Sequence, residues 1–182
     1  MKLVRIACLV EGDGEVQAVP VLLRRVVGSI DPLSQPIVAR PFRRPSGSIR
    51  GAEGLENAIT VVRNYTLATR LTKRARLSRP DLHISVVLAH REFESWFIAA
   101  AKSLAGKRSL DSKLLTPDNW EKIRDAKGWL IDHSVGPGRY SPTQDQAALA
   151  HWLDLEQAQR SRSFRKLWKE VEVIVRSTDA AP

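Results

Sequence analysis

The hydrophobic pattern of the first part of the chain alternates short apolar runs with longer amphipathic stretches. Residues 3–10 are an apolar run that ends at glycines and acids, which predicts a buried strand of a parallel sheet. Residues 14–28 carry apolar side chains at helical spacing and predict a helix. Pro20 either kinks its first turn or marks a true start at position 19 or 20. Residues 35–42 and 83–89 predict two further strands, the second strongly apolar.

Helical patterns dominate the rest of the sequence. Residues 54–77 predict one long helix whose apolar side is thin and rich in alanine. A well-buried helix face is predicted where aromatic and apolar residues recur at i, i+3, i+4, i+7 and i+11, at Phe93, Trp96, Phe97, Ala100 and Leu104.

Three more helix starts are indicated by capping residues. Thr116 precedes a proline and predicts a helix through Leu130, Ser141 predicts a second with Gln144 placed for a capping box, and Ser163 begins a third. Together these elements predict an α/β fold: a small, mainly parallel sheet flanked by helices over 1–108, with a helical C-terminal part over 109–182 packed on it.

Length and composition narrow the class of protein. The chain has 182 residues, enough for one domain with a sizeable core, and a net charge of +9. It has neither an apolar run of ~18 residues nor a secretory leader, so no membrane association is expected. The single cysteine, Cys8, has no partner for an internal disulfide, and we therefore expect a reducing, cytoplasmic location.

Basic residues are concentrated in two stretches. Neither stretch contains an acid: the first runs from position 40 to 50 and the second from 63 to 79. Clustered Lys and Arg bind phosphates without reading sequence, so nucleic acid is the expected partner, and solvated basic faces are the alternative. The candidate contact residues are Arg40, Arg43, Arg44, Arg50, Arg70 and Arg74.

Acidic residues mark the candidate chemistry. Glu11, Asp13 and Glu15 follow the first strand directly, and such closely spaced acids repel one another unless a cation is near. They predict a divalent-metal site of oxygen ligands or, alternatively, acids that stabilise the next helix N-terminus. The same two alternatives apply to Glu92 and Glu94, which lie on opposite sides of their helix face and so cannot both point at one ligand.

Other common catalytic and cofactor-binding motifs are absent from the sequence. It has no phosphate-binding loop, no dinucleotide fingerprint, no zinc-ligand spacing of its four histidines and no nucleophile elbow. Carboxylates acting through a metal ion are therefore the remaining catalytic candidates.

A strand ending in Glu-Gly, with a second glutamate four residues after the first, is found at residues 10–15. This pattern resembles the opening of Toprim domains, which occur in topoisomerases, primases and overcoming-lysogenization-defect-type nucleases. More narrowly, the chain is similar to the Toprim-like family catalogued as domain of unknown function 4276, which is frequent in bacterial defence neighbourhoods. The matching segments are spread along most of the chain, at 10–25, 86–97, 125–130, 140–146 and 163–167.

The resemblance implies a compact sheet with Mg²⁺ held at strand ends. Glu11 would be the acid of the first strand, combining metal binding with proton transfer, and Glu15 would be an additional ligand. Two Mg²⁺ ions would then stabilise the attacking and leaving oxygens of a nucleic-acid phosphodiester. By family analogy the resemblance also implies a role in bacterial defence and an ATPase partner.

One departure from the family pattern concerns the main metal ligands. Toprim sites draw these from an Asp-x-Asp pair after a later strand, whereas this chain has no acid between Glu56 and Asp81. A deleted central strand with its acidic loop accounts for this, and Glu92 or Glu94 would have to substitute. Two functions are therefore expected: a Mg²⁺-dependent nuclease or a catalytically inactive, nucleic-acid- or partner-binding regulatory protein.

Overall fold

The structure is a computed structural model that describes residues 2–43, 71–73, 75–78, 80–81 and 83–177. Over these residues it is a mixed α/β protein with small parallel sheets. No helix in the described part is long and apolar enough to cross a membrane. The strands are β1 (Lys2–Ile6), β2 (Leu9–Val10), β3 (Ser34–Val38) and β4 (Phe42–Arg43). The helices are α1 (Glu15–Ile30), α2 (Ser95–Ala99), α3 (Ala126–Asp132), α4 (Pro142–Trp152), α5 (Leu155–Ala158) and α6 (Arg162–Ser177).

The first and second predicted strands form one parallel pair that is interrupted midway. β1 pairs with β3 and β2 with β4, both in parallel. The predictions of continuous strands over 3–10 and 35–42 are both wrong, because each is observed as two short strands, with a gap in the second between Val38 and Phe42. Ala39 N still donates to Ile6 O and Phe42 N to Cys8 O, each at 3.0 Å. Pro41 lies in this gap and has no N–H to donate to a ladder. The paired segments nevertheless run in the same direction, so Glu11 follows the carboxyl end of β2.

The predicted helix over 14–28 is confirmed, with observed limits Glu15–Ile30. It begins before Pro20 and continues through it, so a start at position 19 or 20 is wrong. Pro20 is itself buried, and this burial offsets the backbone hydrogen bond that its missing N–H cannot make.

Segment 83–89 differs most from its prediction. It has no turn, bend or helix, yet in the described part of the chain it pairs with no strand. The predicted long helix over 54–77 lies mostly outside the described residues, although 71–73 and 75–77 are helical. The idea of a missing central strand therefore remains a prediction from the sequence.

The aromatic face predicted around residue 97 is buried, but its helix is short. α2 ends at Ala99, and a 3₁₀ turn, Ala101–Leu104, continues the chain. Phe93, Trp96 and Phe97 are at most 5% exposed, and their rings contact one another edge-on or tilted.

The predicted helix from Thr116 through Leu130 is wrong, because the structure has a 3₁₀ turn, Trp120–Lys122, and then the separate helix α3. Thr116 Oγ1 instead accepts a hydrogen bond from Lys102 N at 3.1 Å. The helix start at Ser141 is confirmed, but Asp145, not Gln144, accepts from the Ser141 N–H, at 2.7 Å.

One hydrophobic core joins both parts of the chain. It contains Val4 and Val38 from the strands, Leu22 from α1, Leu149 from α4 and Phe164 from α6. α1 and α4 pack closely enough that Gly14, just before α1, leaves no room for a side chain. A Cβ there would lie 2.5 Å from Pro142 O.

Candidate functional site

The acidic loop between β2 and α1 places Glu11 at the carboxyl end of the strand pair. Its side chain is exposed. Glu15, in the first turn of α1, folds back over the loop, and its Oε2 accepts a hydrogen bond from Glu11 N at 3.2 Å. Gly12 lies beneath this carboxylate, because a Cβ at Gly12 would be 3.1 Å from Glu15 Oε1. Glu15 therefore organises the loop that carries Glu11.

The surroundings of Glu15 shift the pKa of its carboxyl group. Burial raises the pKa of the Glu15 carboxyl above its usual value, while hydrogen bonds from the backbone of Glu11 and Gly12 oppose that rise. The negative charges of Glu11 and Glu94 raise it further. Three glutamates thus share one electrostatic neighbourhood, as the sequence predicts for Glu11 and Glu15 and leaves open for Glu94.

Glu94 is the innermost of these acids and is 3% exposed. Its Oε1 accepts hydrogen bonds from Tyr140 Oη at 3.1 Å and from Gln146 Nε2 at 2.9 Å. Burial, and secondly the charge of Glu94, raises the pKa of Tyr140 well above its usual range, so the hydroxyl stays a donor. The pair ties the start of α2 to the loop and first turns around Ser141.

Tyr140 and Gln146 were not predicted as site residues. The only signal in the sequence was that both lie in a segment, 140–146, that carries the family resemblance. Their role depends on a contact with Glu94, 46 and 52 positions away along the chain, and no local pattern encodes such a contact.

Glu92 serves a different part of the molecule. Its Oε2 accepts a hydrogen bond from Lys127 N at 2.8 Å, in the first turn of α3, where Asp125 accepts from Gly128 N at 2.7 Å. This agrees with the alternative that Glu92 complements a helix N-terminus, here the N-terminus of another helix. Glu92 and Glu94 therefore point to different partners.

Of the six arginines predicted to contact nucleic acid, the structure describes Arg40 and Arg43. Arg40 and Arg43 are exposed beyond the carboxyl ends of the strands. Arg43 Nε lies 2.8 Å from Asp13 Oδ1 in an exposed ion pair, and such pairs contribute little stability. Arg40 lines an open cleft of about 490 Å³ that also borders the acidic loop at Asp13. Arg44, Arg50, Arg70 and Arg74 lie outside the described residues.

The described carboxylates do not fit the two-metal centre that the resemblance implies. Mg²⁺ requires near-octahedral oxygen coordination at ~2.1 Å. Glu15, Glu92 and Glu94 each accept a hydrogen bond from a donor of the protein itself. In the described residues no three His, Cys, Asp or Glu side chains converge in a group that could hold a metal ion. Of the four candidates Glu11 is exposed, Glu15 and Glu92 are half-buried and Glu94 is buried.

Cys8 lies between β1 and β2 and is partly buried. Burial raises the pKa of its thiol to about 11, which leaves it protonated and poorly nucleophilic at neutral pH.

Comparisons of the chain with protein-family models, with curated proteins and with solved structures return no match.

Proposed function

We propose that this chain is a Toprim-like protein of bacterial defence, related to Mg²⁺-dependent nucleases, that binds nucleic-acid phosphates without cleaving them. The observation that carries this proposal is how the candidate carboxylates are used. Glu15, Glu92 and Glu94 are each bound to internal donors, and the Asp-x-Asp ligands are absent from the sequence. Asp13 is paired with Arg43, and Glu11 alone supplies too few ligands to offset the dehydration of a hard dication.

Binding is supported by charge and by the position of the arginines. The net charge of +9 attracts a polyanion, and Arg40 is exposed on the cleft beside the acidic loop. Phosphate contacts of this kind position a nucleic acid without specifying its sequence.

The binding test is fluorescence anisotropy of a labelled 30-base-pair DNA duplex, titrated with the full chain between 50 and 300 mM NaCl. We expect log K to fall linearly with log salt, because each phosphate neutralised releases counterions. Arg40→Gln should weaken binding about threefold and reduce the slope by about 0.9, the value for one phosphate contact.

Arg176→Gln is the control, since it removes the same charge at the other end of the strands; the exposed ion pair that it breaks, with Glu172, contributes little stability. Arg176 follows Val175, whose carbonyl accepts a hydrogen bond from Lys2 Nζ at the start of β1. An equal loss of affinity in both variants would show that net charge alone attracts DNA, and the proposed surface would be wrong. No binding even at 50 mM NaCl would overturn the proposal altogether.

A Mg²⁺-dependent nuclease is the second candidate, favoured by one observation. Burial is the main cause of the raised Glu15 pKa, and the negative charges of Glu11 and Glu94 raise it further; a bound cation would relieve that repulsion. Incubation of plasmid and linear DNA with the protein in Mg²⁺ and in Mn²⁺ separates the candidates. We expect intact DNA. Cleavage that disappears in Glu11→Ala, purified identically, would establish the nuclease instead.

A further inference from the structure

Segment 83–89 has the composition of a strand, yet in the described part of the chain it pairs with no strand. It contains two consecutive valines and an isoleucine, which favour strands. The structure places it without a turn or bend, and it shares no backbone–backbone hydrogen bond with the described part of the chain. Residues 84–89 are all half-buried, with Val87 and Ala89 packed on the core.

One edge of this segment is occupied by side chains. Arg76 Nε donates to Ile84 O at 2.8 Å and Lys166 Nζ donates to Val86 O at 2.7 Å. The Val86 N–H donates to Thr72 Oγ1 at 3.2 Å. In an extended chain the N–H and C=O of one residue share an edge and successive residues alternate. These contacts at positions 84 and 86 therefore lie on a single edge, where Arg76 and Lys166 donate hydrogen bonds to the backbone carbonyls.

The opposite edge consists of the backbone groups of Ser85, Val87 and Ala89. Within the described part of the chain no hydrogen bond satisfies them. Backbone polar groups in a folded protein are satisfied by the chain, by water or by a ligand. An extended, apolar and unpaired edge is a template for an additional strand.

We propose that the edge formed by Ser85, Val87 and Ala89 binds an extended, acidic segment of a partner protein by strand addition. Charge selects this occupant. An added strand would lie ~4.8 Å from the segment and roughly 10 Å from Arg76 and Lys166 on its far edge, so these cations and the net charge of +9 attract carboxylates on it. Glu170, 3.8 Å from His83, is the acid at the beginning of the segment. A second copy of this chain would instead bring another net charge of +9.

This inference does not depend on the proposed nucleic-acid binding, because it concerns different residues. The probe is a fluorescein-labelled octapeptide of alternating glutamate and valine, titrated with the full chain and followed by anisotropy. Two control peptides separate the contribution of strand hydrogen bonds from that of charge. One has alternate residues N-methylated, which removes strand hydrogen bonds, and the other has lysine in place of glutamate, which reverses the charge.

We expect the N-methylated peptide to bind at least about tenfold more weakly, which corresponds to one or two lost hydrogen bonds. The lysine peptide should bind more weakly still. If the N-methylated peptide binds as tightly as the parent, the contact is merely ionic and strand addition is wrong. If the lysine peptide binds equally well, the acidic character of the partner is wrong.

Protein variants locate the edge. Ser85→Pro removes one N–H from the open edge without breaking a hydrogen bond of the described chain, and should weaken parent-peptide binding about tenfold. Ser85→Ala is the matched control and should bind normally. Unchanged binding by a folded Ser85→Pro protein would overturn the proposal, and the two control peptides test it even if that variant fails to fold.

Sedimentation velocity of the full chain between 5 and 200 μM tests whether a second copy of the chain binds this edge instead. We expect a monomer throughout. A dimer that dissociates in Ser85→Pro would show that a second copy pairs with this edge, and would overturn the acidic partner.

Discussion

Gly14 shows how much one missing methyl group determines at the junction of α1 and α4. A Cβ at this position would lie 2.4 Å from Gln146 Oε1 and 2.5 Å from Pro142 O, and the second of these atoms is backbone. Gly14→Ala should therefore destabilise the protein by about 1–3 kcal/mol, the usual cost of overpacking, as measured by urea unfolding.

Gly28 is the matched control for that substitution. It lies in the last turns of α1, with nothing within 4 Å of its Cβ position. Gly28→Ala should stabilise the protein by about 0.5–1 kcal/mol, because alanine loses less backbone entropy than glycine in a helix. Equal effects of the two alanines would contradict the close approach of α1 to α4.

The carboxyl of Glu15 makes a pH dependence testable. Since burial raises its folded pKa, the folded state holds this proton more tightly than the unfolded chain does. Its contribution therefore favours folding at acid pH and is lost as pH rises through the raised value. Glu15→Gln keeps an acceptor for Glu11 N and carries no charge. We expect this variant to gain stability relative to the parent protein between pH 4 and pH 7.

Urea unfolding at both pH values measures this gain. Glu121→Gln, which alters an exposed glutamate, is the control and should show the same difference from the parent at both. A constant difference for Glu15→Gln would mean that its carboxyl is not in the buried, acidic surroundings described.

Arg25 links two elements that are far apart in sequence. From α1 its Nη1 donates to Ala150 O at 2.8 Å and to Leu153 O at 2.7 Å, at the C-terminus of α4. A cation there satisfies terminal carbonyls and complements the helix dipole. Arg25→Met should cost about 2–3 kcal/mol in urea unfolding, the range for hydrogen bonds to a charged group.

Arg24 tests whether this loss is specific. It is exposed, and its one hydrogen bond, to Val38 O, is long at 3.4 Å. Arg24→Met should change stability by less than about 0.5 kcal/mol. If the two methionine variants unfold alike, Arg25 does not cap α4.

Local patterns predicted elements best where the signal was itself local. The spacing of apolar residues gave α1 within two residues of its observed limits, and Ser141-Pro142 marked the start of α4. Thr116-Pro117 has the same capping signature and starts no α-helix, because Thr116 bonds to Lys102 N instead. A capping pattern identifies a side chain that is able to accept a hydrogen bond, and tertiary packing determines which N–H group donates it.

At the scale of the whole molecule, the shared core predicts one cooperative unfolding unit. Cys8 reports on the sheet, and four of the five tryptophans lie beyond residue 108. Because its folded pKa is about 11 against an ordinary value of 9.0, Cys8 should react with iodoacetamide at pH 8 roughly 100-fold faster when unfolded. The urea midpoints for labelling and for tryptophan fluorescence should coincide, whereas separate midpoints would indicate two units.

The sequence alone determined the chemistry that is available: an acidic Glu-Gly loop after a strand, an excess of positive charge, one cysteine and no other catalytic motif. These features reside in neighbouring residues, so reading along the chain finds them. Only the tertiary structure decided that Glu94 accepts hydrogen bonds from Tyr140 and Gln146, that Glu92 accepts one at the start of α3, and that segment 83–89 pairs with no strand among the described residues. Each of these depends on a contact between residues distant in sequence, and burial and hydrogen bonding select such contacts only when the chain packs.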